Sequence, residues 1–352
     1  MILILTPYSF NPLHPRLEYI EKYLTKNGYK VKKYNLRCEN RVINKLNWLS
    51  LTFFQVPSFF KSFKYIWQYR NETKIIYIQD LQYLPISIMA KLFGKKVIYD
   101  TLDNNVELNF YHLSNRFETF QKFSFLKKVL TFLEKFLSKY FCSRIIVNSK
   151  ALVEYFKPNK AELIYYTSPF ENRFNNKIHK ERAFLYLGAF SKDKGANEIL
   201  DFIKEYNYKL YIYGDTSSEI LEKILNTDNI IYKERISSID LLGELKKLFD
   251  NHSLIGFSLI KDVHYSYATQ EANKDIDYLA MGIPLIGNRR VPTKEKIDKG
   301  CGVFIDDKKS INQLLKDDLY YQTLSKNSID YYNRFYAQDI FEKKLLDVVK
   351  SV

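Results

Sequence analysis

Short apolar runs alternate with stretches of helical period along the whole chain. In the first half the runs fall at residues 2–5, 31–34, 75–78, 96–99 and 144–148. They are continuously apolar rather than alternating, which predicts parallel strands covered on both faces. Helical patterns lie between them. One over 16–27 ends at Gly28 and one over 80–93 ends at Gly94, glycine being the usual residue just past a helix end. The pattern restarts with a strand at 183–187 and a helix from about 195. Strands follow at 209–213, 230–232 and 254–260, then a helix over 274–281 and strands at 284–287 and 303–305. Two blocks of alternating strand and helix predict an α/β chain of two doubly wound domains. The join is the polar stretch 168–180 with Pro169, giving domains at 1–168 and 169–335. The remaining 336–352 predicts a helix with Phe341, Leu345, Val348 and Val349 on one face. It can pack on either domain and is assigned to the first. Ligands of such folds bind beyond the carboxyl ends of the strands, so the expected site is a cleft between the domains.

Composition narrows the class. The chain has 352 residues, 46% of them hydrophobic, enough for two cores. Its most apolar stretch, 75–94, is broken by Gln79, Asp80 and Gln82, so no bilayer-spanning helix is expected. The first residues lack a basic leader and a cleavage site, which predicts a cytoplasmic protein. Three cysteines and five histidines are scattered, so neither a disulfide framework nor a zinc site is expected. Net charge is +14, and all of the excess lies in residues 1–170, with 26 Lys/Arg against 12 Asp/Glu. That asymmetry reads either as ordinary solubility or as a polyanionic partner for the first half. No helix-turn-helix, RRM or zinc pattern is present, so nucleic acid is not the expected partner.

Two aromatic, lysine-bearing segments bear on that partner. Residues 47–67 include Trp48, Phe53, Phe54, Phe59, Phe60, Lys61, Lys64 and Trp67. Residues 125–141 place Leu126, Val129, Leu130, Leu133, Leu137 and Phe141 on one side, with Lys128, Lys135 and Lys139 nearly opposite. Each segment reads as a core-facing helix with a solvated lysine face, or as an interfacial membrane helix. Together with the charge asymmetry they predict a peripheral protein on an anionic membrane surface.

The chemistry concentrates in the second half. Residues 273–287 read N-K-D-I-D-Y-L-A-M-G-I-P-L-I-G, a short helix, a glycine turn and a buried strand. Lys274 and Asp277 share a helix face, Gly282 permits close backbone approach, and a helix N-terminus beside such a turn suits phosphate. The segment resembles the signature N-K-x-x-E-Y-x-A-x-G-x-P-V-I of family 4 glycosyltransferases at Asn273, Lys274, Asp277, Tyr278, Ala280, Gly282, Pro284, Leu285 and Ile286. The resemblance implies that Asp277 binds the nucleotide ribose. The family's second, sugar-facing Glu falls at Thr269, with Glu271 two residues later. Asp275 and Asp277 mimic a D-x-D metal motif, but residues two apart on a helix point in different directions, so no metal is expected there.

Residues 184–195 read F-L-Y-L-G-A-F-S-K-D-K-G and resemble the family's V-G-R-x-x-x-x-K-G loop, which grips the donor diphosphate. Gly188, Lys194 and Gly195 match. Ala189 stands at the Arg position, and Lys192 is the candidate substitute. Gly214, closing the strand 209–213, is similar to the family's glycine near the base. Residues 299–307 resemble an architectural stretch of the family.

The first half resembles it more loosely. Pro15-Arg16 is similar to the start of the family's first helix. There His14 is a candidate polar contact or weak base, and Arg16 is an acceptor-side contact or simply the exposed Arg of a Pro-initiated helix. Asp103 occupies an acidic position at a strand end and Leu102 the position of a sugar-facing His. The resemblance implies a GT-B fold with two Rossmann-like domains. It also implies sugar transfer with retention and no cofactor or essential metal. The donor is a nucleotide-diphosphate sugar of the UDP or GDP type, and the acceptor a membrane-associated glycan or lipid-linked molecule of surface-polysaccharide synthesis (capsule, lipopolysaccharide or similar). The implied catalytic set is Lys194, Asp277, Asp103 and His14. Ala189, Leu102 and Thr269 leave open a nucleotide-binding subunit of impaired activity, and the architecture leaves open a sugar-nucleotide epimerase.

Overall fold

The first apolar run, Ile2–Thr6, is a strand (β1) buried along its whole length, as a central strand with helices on both faces must be. The computed structural model describes residues 1–6, 15–35, 56–116, 124–174, 178–179, 181–261 and 265–352. The chain divides into two compact units, Met1–Tyr165 with Phe341–Val352, and Tyr166–Ile340.

In the first unit β1 is followed by α1 (Pro15–Lys26), β2 (Val31–Asn35), α2 (Val56–Gln68), β3 (Ile75–Gln79) and α3 (Ile86–Leu92). Then come β4 (Lys96–Thr101), α4 (Asn105–Arg116), α5 (Ser124–Phe141), β5 (Arg144–Val147), α6 (Lys150–Tyr155) and β6 (Ala161–Leu163). The six strands form one sheet in the order β2-β1-β3-β4-β5-β6, every pair parallel. The helix predicted over 80–93 is interrupted: a 3-10 turn spans Leu81–Tyr83 and α3 begins only after Pro85. Pro85 has no N–H to continue the ladder and starts a helix instead. The edge strand β6 escaped prediction because three residues, Ala-Glu-Leu, carry no periodicity.

The second unit contains β7 (Arg182–Leu187), α7 (Ala196–Tyr206), β8 (Leu210–Tyr213), α8 (Ser218–Leu225), β9 (Ile230–Lys233) and α9 (Ser238–Asn251). It continues with β10 (Ser253–Ser258), α10 (Tyr265–Thr269), α11 (Asn273–Ala280), β11 (Leu285–Gly287), α12 (Val291–Asp298) and β12 (Gly302–Phe304). Helices α13 (Lys308–Lys316), α14 (Asp318–Phe335) and α15 (Gln338–Lys350) follow. Its sheet is also parallel, in the order β12-β11-β10-β7-β8-β9. Ser217 and Ser237 cap α8 and α9, each accepting a backbone N–H three residues on, the cap chemistry for which serine is favoured.

The chain passes from one unit to the next at Tyr166, earlier than Pro169. Hydrogen bonding decides the point. Thr167 Oγ1 lies 3.0 Å from Tyr332 Oη, and the Ser168 N–H donates to the same hydroxyl. The last helix returns to the first unit. Phe341, Leu345, Leu346, Val348 and Val349 share one core with Ile2, Ile4, Leu17, Ile20, Tyr23 and Leu24. Lys26 and Asn27 both donate to Glu342, and Lys344 donates to the Leu163 carbonyl.

Helix α5 sits differently from its expected membrane orientation. Leu130 and Leu137 are buried, and Leu133 and Phe141 pack against the same core, so most of the aliphatic stripe faces the interior, while Leu126 at its start is exposed. Glu134 is buried with them, accepting from Tyr99 Oη at 2.9 Å and Tyr155 Oη at 2.6 Å. Burial pushes its carboxyl up to about 7. The exposed side is aromatic as well as basic: Phe125, Phe132, Phe136 and Tyr140 are 77%, 65%, 41% and 50% exposed, beside the exposed Lys128 and Lys139. Residues 47–55 lie outside the described residues. The described part of that segment exposes Phe63 and Trp67, both packed on Phe93 at the end of α3. Among the described residues no helix is long and apolar enough to cross a membrane.

Candidate functional site

In the second unit the chain runs β7 to β8 to β9 in one direction and β10 to β11 to β12 in the other. The order reverses between β7 and β10. The loops after those two strands therefore flank a topological switch point, where open α/β sheets bind ligands. Two glycines let the loops close up. A Cβ on Gly214, after β8, would lie 2.0 Å from the Gly188 carbonyl oxygen, after β7. Gly195 has φ +78°, and a Cβ there would lie 2.4 Å from Leu259 Cβ. Only glycine tolerates both that conformation and that contact. The Lys261 N–H donates to the Asp193 carbonyl at 2.9 Å, tying the loop after β10 to the turn 192–194. Lys194 Nζ lies 4.1 Å from the centre of the Tyr267 ring. Lys192 instead pairs at the surface with Glu219, 2.7 Å away.

Helix α11 is pinned in rotation by Tyr278. Its buried hydroxyl accepts from the Leu187 N–H at 2.9 Å and donates to the Leu185 carbonyl at 3.2 Å. The ring occupies the space over Gly256, where a Cβ would lie 2.6 Å from it. This rotation sets Asp277 against Ser168 and Tyr166, whose hydroxyls donate to Oδ1 at 2.7 and 3.4 Å. Burial pushes the Asp277 carboxyl up to about 7, against the pull of those two hydrogen bonds. Lys274 lies one turn back. Its buried nitrogen has no hydrogen-bond partner among the described residues and sits 3.9 Å from the centre of the Tyr186 ring. Burial lowers its pKa to about 7. Asp275 faces a separate buried group, 3.6 Å from Arg290 and 3.8 Å from Lys296. Lys296 is itself bound to Glu271 at 2.7 Å, and Thr269 Oγ1 donates to the Tyr265 carbonyl. Glu271 and Asp275 thus help brace the segment leading into α11.

No family model and no curated protein matches the chain in sequence. Solved structures match it end to end. Sucrose-phosphate synthase from Thermosynechococcus elongatus superposes with a TM-score of 0.70 at 13% identity, covering 99% of this chain and 98% of that one. HepE from Anabaena, solved in complex with UDP, gives 0.65 at 14% identity over 100% of both chains. WaaG, a glycosyltransferase involved in lipopolysaccharide biosynthesis, gives 0.64 at 10% identity over 99% of both. This chain has the GT-B fold.

The remaining candidate residues of this GT-B chain are placed as follows. Asn273 is exposed at the start of α11, and Gly282, at φ +66°, ends the helix. Asp103 and Leu102 lie half-buried in the turn after β4, where Thr101 Oγ1 donates to the Asp103 carbonyl. His14 lies outside the described residues. Arg16 is not exposed but turned inward. Its Nε and Nη2 donate to the two Asp100 oxygens at 2.9 Å each, and Nη1 donates to the Ile164 carbonyl at 3.0 Å. Both side chains are buried, because β4 carries Asp100 inward at the point where α1 begins. Sequence reasoning missed Ser168, Tyr166 and Tyr186. Their signal is weak, since a hydroxyl before a proline or a tyrosine in a strand is ordinary until α11 is seen packed against it.

Proposed function

We propose that the chain is a glycosyltransferase that moves a sugar from a nucleoside diphosphate sugar to an acceptor. The observation that carries this reading is Asp277, a half-buried carboxylate held by two hydroxyls on a helix flanking the switch point of a GT-B fold. Its motif resembles the ribose-binding segment of family 4 enzymes, and a GT-B neighbour was solved with UDP bound. Asp277 orients the nucleotide through its ribose. As the sugar–phosphate bond lengthens, negative charge grows on the diphosphate. Lys194 and the N–H groups at the starts of α7 and α11 stabilise it. Asp275 and Asp277 are engaged with different partners, which supports a reaction that proceeds in the presence of EDTA. Transfer with retention follows the family resemblance.

The test is incubation with a panel of UDP- and GDP-sugars and candidate glycan and lipid-linked acceptors. Release of nucleotide with an axial-to-axial anomeric outcome by NMR is expected, with EDTA present. Binding without turnover on any acceptor would favour the impaired subunit. An epimerised nucleotide sugar formed without acceptor would favour the epimerase.

The acceptor we propose is a lipid-linked or membrane-associated glycan of surface-polysaccharide synthesis. The solvent side of α5 supports it, with Phe132 and Phe136 stacked at 5.9 Å and Tyr140 4.8 Å from Phe136. Lys91 of α3 donates to the Tyr140 carbonyl, linking this stripe to Leu92, Phe93 and Trp67. Aromatic groups among lysines suit the headgroup region of an anionic bilayer. Flotation with phosphatidylglycerol vesicles is expected to carry the protein. Phe132→Ser with Phe136→Ser should weaken that association by roughly tenfold or more, and phosphatidylcholine vesicles should not bind it. Equal flotation of the double variant would dismiss this face.

A further inference from the structure

A buried ammonium without a hydrogen-bond partner is among the least favourable arrangements a fold can hold, and buried polar groups left unpaired need an explanation. Lys274 is such a group. Its nearest compensation is the face of Tyr186, whose own hydroxyl donates to the Ala189 carbonyl at 2.9 Å. The charges that act on Lys274 are Asp275, which attracts it, and Lys194 and Arg290, which repel it. Asp275 is already shared by Arg290 and Lys296. Lys274 thus feels two cations against one carboxylate, and among the described residues its nitrogen has no hydrogen-bond partner.

An anion that arrives and leaves accounts for this. A single carboxylate would serve one cation, whereas Lys194 and Lys274 act on each other as two. A diphosphate carries two charges and suits the helix starts of α7 and α11 beside them. We propose that Lys274 binds the donor's diphosphate together with Lys194, and that its neutral amine takes up a proton, becoming the ammonium that pairs with the diphosphate. This inference rests on the nucleotide-sugar reading above. The direction follows from the depressed pKa of about 7. Above that value the free site holds mainly neutral lysine, and a bound anion favours the charged form, so binding draws in a proton and weakens as pH rises. Below it the lysine is already charged and little uptake remains. Burial pushes Asp277 up to about the same value, so the permanently charged Lys274→Arg variant is what separates the proton of Lys274 from that of Asp277.

The experiment is titration calorimetry of the full chain with UDP-glucose, GDP-mannose and related nucleotide sugars at ~pH 8. Their diphosphates do not titrate there. Each is run in HEPES and in Tris, which differ in ionisation enthalpy. The wild type is expected to bind one donor with an enthalpy that differs between buffers by the uptake of up to one proton. Lys274→Arg, permanently charged, should bind with no buffer dependence. Lys274→Met should bind about ten- to a hundredfold more weakly, the range for losing a charged hydrogen bond. Thermal melts check that both variants are folded. Binding with a buffer-independent enthalpy, or uptake that persists in Lys274→Arg, overturns the inference and leaves the donor reading standing. Failure of every nucleotide sugar to bind the wild type overturns both.

Discussion

Asp277→Asn is expected to weaken donor binding by about a hundredfold while leaving the melting temperature unchanged or raised. A half-buried carboxylate accepting from two ribose hydroxyls makes charge-assisted bonds, each of which contributes about 1.5–3 kcal/mol. The amide keeps the shape and an oxygen for Ser168 but loses the charge. Stability should move the other way, because the folded protein holds this carboxyl at about 7, above its ordinary 3.8. A raised acid pKa means that the folded state binds the proton more tightly than the unfolded chain. The group therefore destabilises the fold increasingly as pH rises from near 4 to near 7, and fully above that. Removing the charge removes this cost. A site kept at the expense of stability is one kept for function. Calorimetry and thermal melts at neutral pH test both halves. Weakened stability with unchanged donor affinity would make Asp277 a purely structural acid.

Arg16→Met is expected to destabilise the first unit by about 3–5 kcal/mol, the range for breaking a buried ion pair by removing one partner. Asp100 would keep Tyr77 Oη, which donates to Oδ2 at 2.8 Å, but lose its only guanidinium among the described residues. A fall in melting temperature of roughly 10 °C is expected for a unit of this size. Asp100→Asn in the same chain should recover part of it, because the carboxylate left behind causes most of the damage. The measurement is a melt of the single and double variants beside donor titration. An Arg16→Met protein of unchanged stability, whose KM rises only for the acceptor, would return Arg16 to the acceptor site.

The parallel sheets were legible because the central strands are continuous apolar runs and the long helices have their own period, whereas the edge strands β2 and β6 carry polar residues. The helix α11 and its glycine turn were legible for the same reason, but the fit of the Tyr278 ring over Gly256 appears only in the fold. Other features depend on contacts that periodicity does not encode. Arg16 read as an exposed helix-start residue because nothing in Pro15-Arg16 announces Asp100, more than eighty positions away. The aliphatic side of α5 was recognised, but the sequence left its destination open between a core and a membrane. A leucine stripe has the same spacing whether it meets a core or a membrane, and Glu134 gave no sign of the two tyrosines that receive it. Lys194 matched the family's Lys-Gly and Lys192 read as a substitute for the missing Arg, both as diphosphate contacts. Only the turn 192–194 sends one to Glu219 and the other to Tyr267.

The return of Phe341–Val352 to the first core has a consequence for biosynthesis. The segment that completes this core is translated after the whole second unit, Tyr166–Ile340. At about 5–20 residues per second, the first unit waits on the order of 10–35 s on the ribosome. During that time Tyr19, Ile20, Tyr23 and Leu24 lack the side chains of α15 that cover them in the finished protein. A nascent chain stalled after Ile340 should therefore bind a holdase chaperone through its first unit, and release it once synthesis runs on through Val352.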